Sequence, residues 1–279
     1  MHIPGRRPTV VLICHEEDRL DREGLASWLA STMTLAGLLI IRDEPGRRWQ
    51  AVRRELRRVG PLGLLDVFAF RLYARLTSHA RDLTWKQAQL ARLRTDYPAD
   101  LDTVPQITVS SPNSPEAKAF LERLRPDIAI ARCKMILRRD IFEIPTAGTF
   151  VLHPGICPEY RNAHGCFWAL ANRDLNRVGA TLLRVDAGID TGPVYLHTTC
   201  DFDELVDSHA VIQYRAVLDN LEAIGRTLTA LATGGPVSPV NTAGRRSAVW
   251  GQPRLTAYLR WKRAARMAPR RMDLREAVQ

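Results

Sequence analysis

No stretch of this chain approaches the run of about 18 apolar residues that a membrane-spanning helix requires, which argues against a spanning segment. Basic residues do precede a short apolar run near the start, but no small-residue cleavage site follows, so the run reads as a first strand. The five cysteines, Cys14, Cys133, Cys157, Cys166 and Cys200, are odd in number and follow neither a metal-ligand spacing nor a disulfide framework. No metal is expected, and a reducing cytoplasm is the natural setting. A Gly-rich fingerprint is missing after the first strand, where Cys14-His15-Glu16-Glu17 stands instead, so a dinucleotide site is not expected. Neither an RNA-recognition aromatic signature nor a helix-turn-helix pattern is present.

What is present suits a globular protein: 279 residues, 46% hydrophobic and 25% charged, enough for one large domain with a sizeable core. Residues 9–14 read as a buried strand, residues 21–35 as a helix through the spacing of Leu25, Trp28, Leu29 and Met33, and residues 38–41 as a second strand. Such a βαβ unit favours a parallel sheet with helices on its faces. Residues 42–100 are helical in pattern and rich in arginine, among them Arg53, Arg54, Arg57 and Arg58. These arginines either attract an anionic substrate or form a solvated helical face. Ser114-Pro115-Glu116 starts a helix, with a capping serine, proline at the first position and an acidic first turn. Residues 127–131 and 194–199 read as strands, and residues 203–231 as one long amphipathic helix that buries Leu205, Val206, Leu218 and Ile224 and stops at Gly234-Gly235-Pro236.

The stretch 149–193 organises the rest. An apolar strand ends on His153-Pro154-Gly155, which predicts a histidine presented at a sheet edge rather than packed. A loop through Tyr160, Arg161 and Asn162 leads to a helix over 165–171. A strand over 180–185 then runs into Asp186-Ala-Gly-Ile-Asp190-Thr191-Gly192. One histidine and two aspartates thus leave neighbouring strand ends.

At these residues the sequence resembles the folate-dependent formyltransferases, the family of glycinamide ribonucleotide formyltransferase, methionyl-tRNA formyltransferase and the amino-sugar N-formyltransferases. The family pattern Asn-x-His, Leu-Pro-x-Tyr-Arg-Gly and Asp-x-Gly-x-Asp-Thr-Gly is matched by Val151-Leu152-His153, Cys157-Pro158-Glu159-Tyr160-Arg161-Asn162 and residues 186–192. The likeness covers residues 126–200 well and the ends poorly. It implies a Rossmann-like, parallel-rich α/β sheet flanked by helices, with residues 42–100 as a helical insertion in a place where the family is usually shorter. The α/β domain would span residues 1–236, followed by a basic extension over 237–279.

The resemblance further implies 10-formyltetrahydrofolate as donor, His153 and Asp190 as catalytic residues, and a donor pocket bordered by Ile136, Leu137, Asp186, Thr191 and Gly192. Tyr160, Arg161, Asn162 and His164 would border the acceptor. Two departures stand out. Asn162 occupies the place of a glycine, which asparagine's tolerance of the left-handed backbone accommodates. Val151 occupies the place of the family's catalytic Asn, and a valine offers no hydrogen bond to a developing oxyanion, a donor typically worth on the order of 2.7 to 4 kcal/mol.

Transfer of a formyl group to an amine needs a proton acceptor, and histidine, titrating near neutrality, suits that task. The leading expectation is a formyltransferase acting on the amine of a small metabolite or amino sugar. A formyl-folate hydrolase and a non-catalytic folate or anion binder are the alternatives, and the retention of both His153 and Asp190 argues against the last. The net charge of +10 and the basic tail agree equally with an anionic substrate, nucleic acid or an acidic membrane surface. Residues 255–267 read as a tail helix with Leu255, Tyr258, Leu259 and Trp261 turned inward.

Overall fold

A computed structural model describes residues 6–268, apart from the side chains of residues 45, 47, 48 and 51. At its centre lies β1 (Thr9–His15), whose residues Val10 to Cys14 are withdrawn from solvent on both faces, as a strand covered by helices on each side must be. A π-helical turn (Leu20–Leu25) runs into α1 (Ala26–Thr32), and β2 (Thr34–Ile41) returns parallel to β1. The insertion follows as α2 (Pro45–Thr77), kinked at Gly60, and α3 (His79–Asp96). The chain continues through β3 (Gln106–Val109), α4 (Pro115–Leu124), β4 (Ile128–Arg132), α5 (Arg139–Phe142) and β5 (Gly148–His153). Ser114 caps α4 by accepting the Ala117 N–H at 3.2 Å, as its sequence predicts.

Beyond the short β6 (Arg161–Asn162) and α6 (Gly165–Ala171) come β7 (Gly179–Arg184) and β8 (Val194–Thr199). Helices α7 (His209–Leu218) and α8 (Leu221–Ala232), β9 (Val249–Trp250) and α9 (Leu255–Met267) complete the described chain. The main sheet has the order β3-β2-β1-β4-β5-β7-β8, parallel up to β5 and antiparallel beyond it. Val10, Leu12 and Leu152 pack on one face of the sheet, with Trp28, Val217 and Ile224. Val11 and Ile13 pack on the other, with Phe120 and Leu121. Because β1, β4 and β5 are parallel, their carboxyl ends open on one edge, where such sheets place their ligands.

Three elements differ from the sequence reading. The helix expected over 21–35 stops at Thr32, where Met33 turns extended (φ −136°), and β2 begins at Thr34 rather than at residue 38. A fully buried strand is apolar at every position, so its residues continue a helical spacing by accident. The helix expected over 203–231 is two helices with a turn before them. Asp203 Oδ1 accepts the N–H groups of Leu205 and Val206 at 2.7 and 3.2 Å, which leaves both side chains exposed. Ser208 caps α7, and between α7 and α8 the Asn220 amide donates to the carbonyls of Thr199 (2.7 Å) and Ala216 (3.1 Å), trading helical continuity for side-chain bonds. In α9, Trp261 is fully buried as expected, but Leu259 is half exposed.

The boundary expected at residue 236 does not separate two packed units. Strand β9 pairs in parallel with β6, and Trp261 shares a core with Phe70, Phe167 and Trp168. Arg270 and Arg271 of the basic tail lie outside the described residues. Among the described residues no helix is long and apolar enough to cross a membrane, and all five cysteines are free.

Candidate active site

His153 ends β5 opposite Thr181 of β7. It is 3% exposed, so the expectation of a presented side chain is corrected: the loop after it folds back over the ring. Gly155 permits this closure, since a methyl group there would lie 2.6 Å from the Tyr160 carbonyl oxygen and 2.9 Å from His153 Nε2. Nε2 is 2.7 Å from that carbonyl. A carbonyl only accepts, so the partner assigns the proton to Nε2. Nδ1 faces Asp190 Oδ2 at 3.4 Å.

Asp190 is held from two sides. Its own backbone is left-handed (φ 50°), and its Oδ2 accepts the Asn162 N–H at 2.7 Å. Asn162 is left-handed as well (φ 78°), the conformation for which asparagine substitutes for glycine. Arg161 Nη1 donates to the Ile189 carbonyl at 3.0 Å, so the loop carrying β6 is bonded directly to the aspartate turn. Within that turn Asp186 Oδ1 accepts from the Gly188 N–H (2.9 Å) and the Thr191 hydroxyl (2.7 Å). A methyl group on Gly192 would sit 1.9 Å from the Arg184 carbonyl, which explains the glycine. Asp186, Thr191 and Gly192 build the turn that aims Asp190.

Tyr160 serves the site through its carbonyl alone. Its ring stacks on Trp250 at 5.7 Å and its hydroxyl donates to Asp174 at 3.0 Å, so within the loop expected to border the acceptor this side chain is turned into the packing. Ile136 and Leu137 part company: Ile136 is 62% exposed at the open edge of the sheet, while Leu137 is buried with Ile141 and Phe142. Val151 is half-buried and packs against two apolar clusters, one that holds Leu137, Ala131 and Ile141 and another of Cys157, Leu183 and Val194. Cys133, near that edge, is pushed up to about 11 by burial and is a thiol, not a nucleophile, at neutral pH.

His164 opens α6 in a left-handed conformation (φ 55°). Its Nδ1 is buried and bonded to nothing, so it is more than the exposed cap residue its position suggests. Burial, then Lys134 and Arg71, push its pKa down to about 4. The ring of His209 lies 5.9 Å away and is pushed down to about 3 by burial and then by His164. Both stay neutral at physiological pH. The unfolded chain takes up their protons near the ordinary value of about 6.5, so from there down to about pH 3 it binds more protons than the folded one, and stability falls as pH falls. Thermal melts from pH 7 to 4 should show a declining Tm, with a flatter slope in His209→Phe; an unchanged slope in that variant would exclude a buried neutral His209.

Sequence reasoning missed a second charged group beneath the site. Arg132, the last residue of β4, makes paired 3.1 Å bonds from Nε and Nη2 to Asp21 and donates from Nη1 to the carbonyl of Leu152, next to His153, at 2.7 Å. Tyr214 of α7 donates to Asp18, and Lys86 of α3 donates to the Tyr214 hydroxyl at 3.1 Å. The only local signal was an arginine closing an otherwise apolar strand. His15, at the end of the first strand on the same sheet edge, accepts the Lys134 N–H through Nε2 at 3.1 Å and so fixes the loop after β4. No group of three or more His, Cys, Asp or Glu among the described residues is arranged to hold a metal.

A parallel-rich sheet thus bears, at its carboxyl edge, a histidine paired with an aspartate from a stapled turn. The chain belongs to the formyl transferase family: the family model described as "Formyl transferase" matches residues 83–225, just over half of it. The chain is 40% identical over 82 residues to a methionyl-tRNA formyltransferase of Dehalococcoides mccartyi (strain CBDB1), covering 29% of this chain and 26% of the relative. It is 29% identical over 207 residues to that of Xanthomonas campestris pv. campestris (strain 8004), covering 66% and 67%. The first of these matches thus spans about a quarter of the relative's length. In fold the chain is similar to phosphoribosylglycinamide formyltransferase from Anaplasma phagocytophilum (TM-score 0.52, 12% identity, 88% of this chain and 98% of that one). It is also similar to a sugar N-formyltransferase from Shewanella sp FDAARGOS_354 (TM-score 0.51, 13% identity, 87% and 76%).

Proposed function

We propose that this chain transfers the formyl group of 10-formyltetrahydrofolate to the amine of a small metabolite or amino sugar. The observation that carries the reading is the His153–Asp190 pair, 3.4 Å apart and fixed by bonds to Tyr160 and Asn162. With Nε2 donating to a carbonyl, the free lone pair of His153 is on Nδ1. A proton leaving the amine and arriving at Nδ1 is met by the Asp190 carboxylate, so both N–H groups of the resulting imidazolium point at oxygen acceptors. The pair receives the proton together, and Asp190 is its more exposed member, with 15% of its side chain open against 4% for His153.

The residues present fit the folate. Exposed Ile136 would supply an apolar contact for the folate, and the backbone of the turn over 186–192 would supply polar groups. The bound folate would supply the activated formyl carbon on N10. With Val151 among apolar neighbours, the oxyanion donor has to come from elsewhere, and His164 is our candidate, because its neutral ring carries a buried nitrogen with no partner. A neutral imidazole is a competent donor to a developing oxyanion. His164→Ala should lower kcat by about 10²- to 10³-fold with little change in KM; equal kcat in wild type and variant would place the donor elsewhere.

The direct test follows tetrahydrofolate release from 10-formyltetrahydrofolate with a panel of amines that includes amino sugars and methionyl-tRNA, the substrate named by the curated relatives. Amine-dependent turnover supports the proposal, and the productive amine names the acceptor class. Amine-independent turnover would make the protein a formyl-folate hydrolase, and binding without turnover a folate-binding protein.

A further inference from the structure

The second half of α2, from Pro61 to Thr77, has two apolar faces where a surface helix ordinarily has one. Val67 and Phe70 are buried, Phe70 against Phe167 and Tyr258. On the other side Leu62, Leu65, Phe68, Leu72 and Leu76 are between 42% and 81% exposed. At 3.6 residues per turn these five share an arc of about 120° along about 22 Å of helix. Ala69 lies in the same arc, which contains no charged residue; Arg75 and then Arg71 border it on one side, and Asp66, which accepts the Thr256 N–H, on the other. A charge-free arc of this length is larger than scattered exposed leucines explain and marks a surface that something covers.

Charge decides what covers it. Residues 42–97 contain thirteen Arg or Lys and six Asp or Glu, so this one insertion holds +7 of the chain's +10. Arg53, Arg54 and Arg57 are exposed on the half of α2 that precedes the Gly60 kink. Two copies meeting through this helix would bring +7 against +7. A nucleic acid would satisfy the arginines but leave the leucines without a partner. An anionic bilayer satisfies both, since its headgroups pair with arginine while the boundary with the acyl chains takes up the apolar arc.

We propose that α2 docks this chain on the surface of an anionic lipid bilayer, lying in the interface with Leu62, Leu65, Phe68, Leu72 and Leu76 inserted and the neighbouring arginines on lipid headgroups. The helix lies on the membrane rather than crossing it, because no helix among the described residues is long and apolar enough to cross. The inference concerns a face turned away from the core and stands whatever the acceptor of the active site is.

The test is co-sedimentation of the full chain with vesicles of phosphatidylcholine alone and of phosphatidylcholine with phosphatidylglycerol. Wild type should bind the anionic vesicles at least about tenfold more tightly than the neutral ones, and lose that preference when NaCl rises from about 0.1 to 0.5 M. Leu65→Ser/Leu72→Ser should weaken binding at least about tenfold with an unchanged Tm, since both side chains are exposed. Three results would overturn the proposal: wild type left in the supernatant with both vesicles, the double variant binding as tightly as wild type, or a wild-type dimer that the double variant converts to monomer. Binding to an RNA duplex that exceeds vesicle binding and is unchanged in the double variant would overturn it in favour of a nucleic-acid surface.

Discussion

His153→Ala is expected to lower kcat for amine-dependent release of tetrahydrofolate by about 10²- to 10⁴-fold, the usual contribution of a positioned general base. Because the ring is buried between the Tyr160 carbonyl and Asp190, deleting it removes the proton acceptor and also leaves the Tyr160 carbonyl without its donor. Asp190→Asn separates these effects. The amide retains an oxygen for the Asn162 N–H, so the loop stays stapled, but it no longer meets an arriving proton with negative charge. We expect a comparable loss of kcat with KM for the folate nearly unchanged. Steady-state kinetics with the best amine of the panel check both variants. Wild-type kcat in either one would remove the pair from the chemistry, and a rise in KM alone would assign it to binding.

The second large effect lies below the site. Asp21→Ala leaves the Arg132 guanidinium buried without its carboxylate, and breaking a buried pair in this way costs about 3 to 5 kcal/mol. Only 6% of the Asp21 side chain and 12% of that of Arg132 meet solvent, so little screening softens the loss. Burial pushes the Asp21 pKa up while Arg132 pulls it back, which means that the carboxylate stays charged only because the arginine is there. Urea denaturation measures the change, with Glu222→Ala on the exposed Glu222–Arg226 pair as a control expected to match wild type. Asp21→Leu/Arg132→Met should recover much of the stability, since apolar replacement of both partners removes the stranded charge. It should still impair turnover, because Arg132 also holds the carbonyl of Leu152 beside His153.

The parts of this molecule legible in the sequence are those that local pattern specifies. A strand end and a turn have residue signatures, so the positions of His153 and Asp190 could be placed, while their pairing at 3.4 Å is the structure's and their catalytic role came from the resemblance. The start of α4 could be placed because Ser114 and Pro115 cap a helix by themselves. What could not be read depends on contacts made across the chain. Tyr160 was assigned to the substrate, yet the backbone carbonyl is its contribution, and no side-chain pattern reports on a carbonyl. Asp21 and Arg132 are 111 residues apart and become a pair only once β1 and β4 are neighbours. Asn220 broke a helix that its apolar spacing supports, because its amide finds the Thr199 carbonyl at the end of β8. The apolar arc of α2 was hidden for a related reason: a helix with two apolar faces looks, residue by residue, like one that is simply buried.

The inserted helix and the chain's last described segment are tied together at several points. Asp66 accepts the Thr256 N–H at 3.0 Å, Arg71 Nη2 donates to Gln252 at 3.2 Å, Phe70 and Tyr73 pack on Tyr258, and Arg58 lies over Gly251. Segments 190 residues apart therefore hold each other in place. A chimera that exchanges residues 42–97 for a shorter crossover would strip α9 of its cover and loosen β9, which backs the loop that holds Asp190. Shortening the insertion in this chain thus calls for a matching change in residues 249–267, because each segment is part of the other's packing.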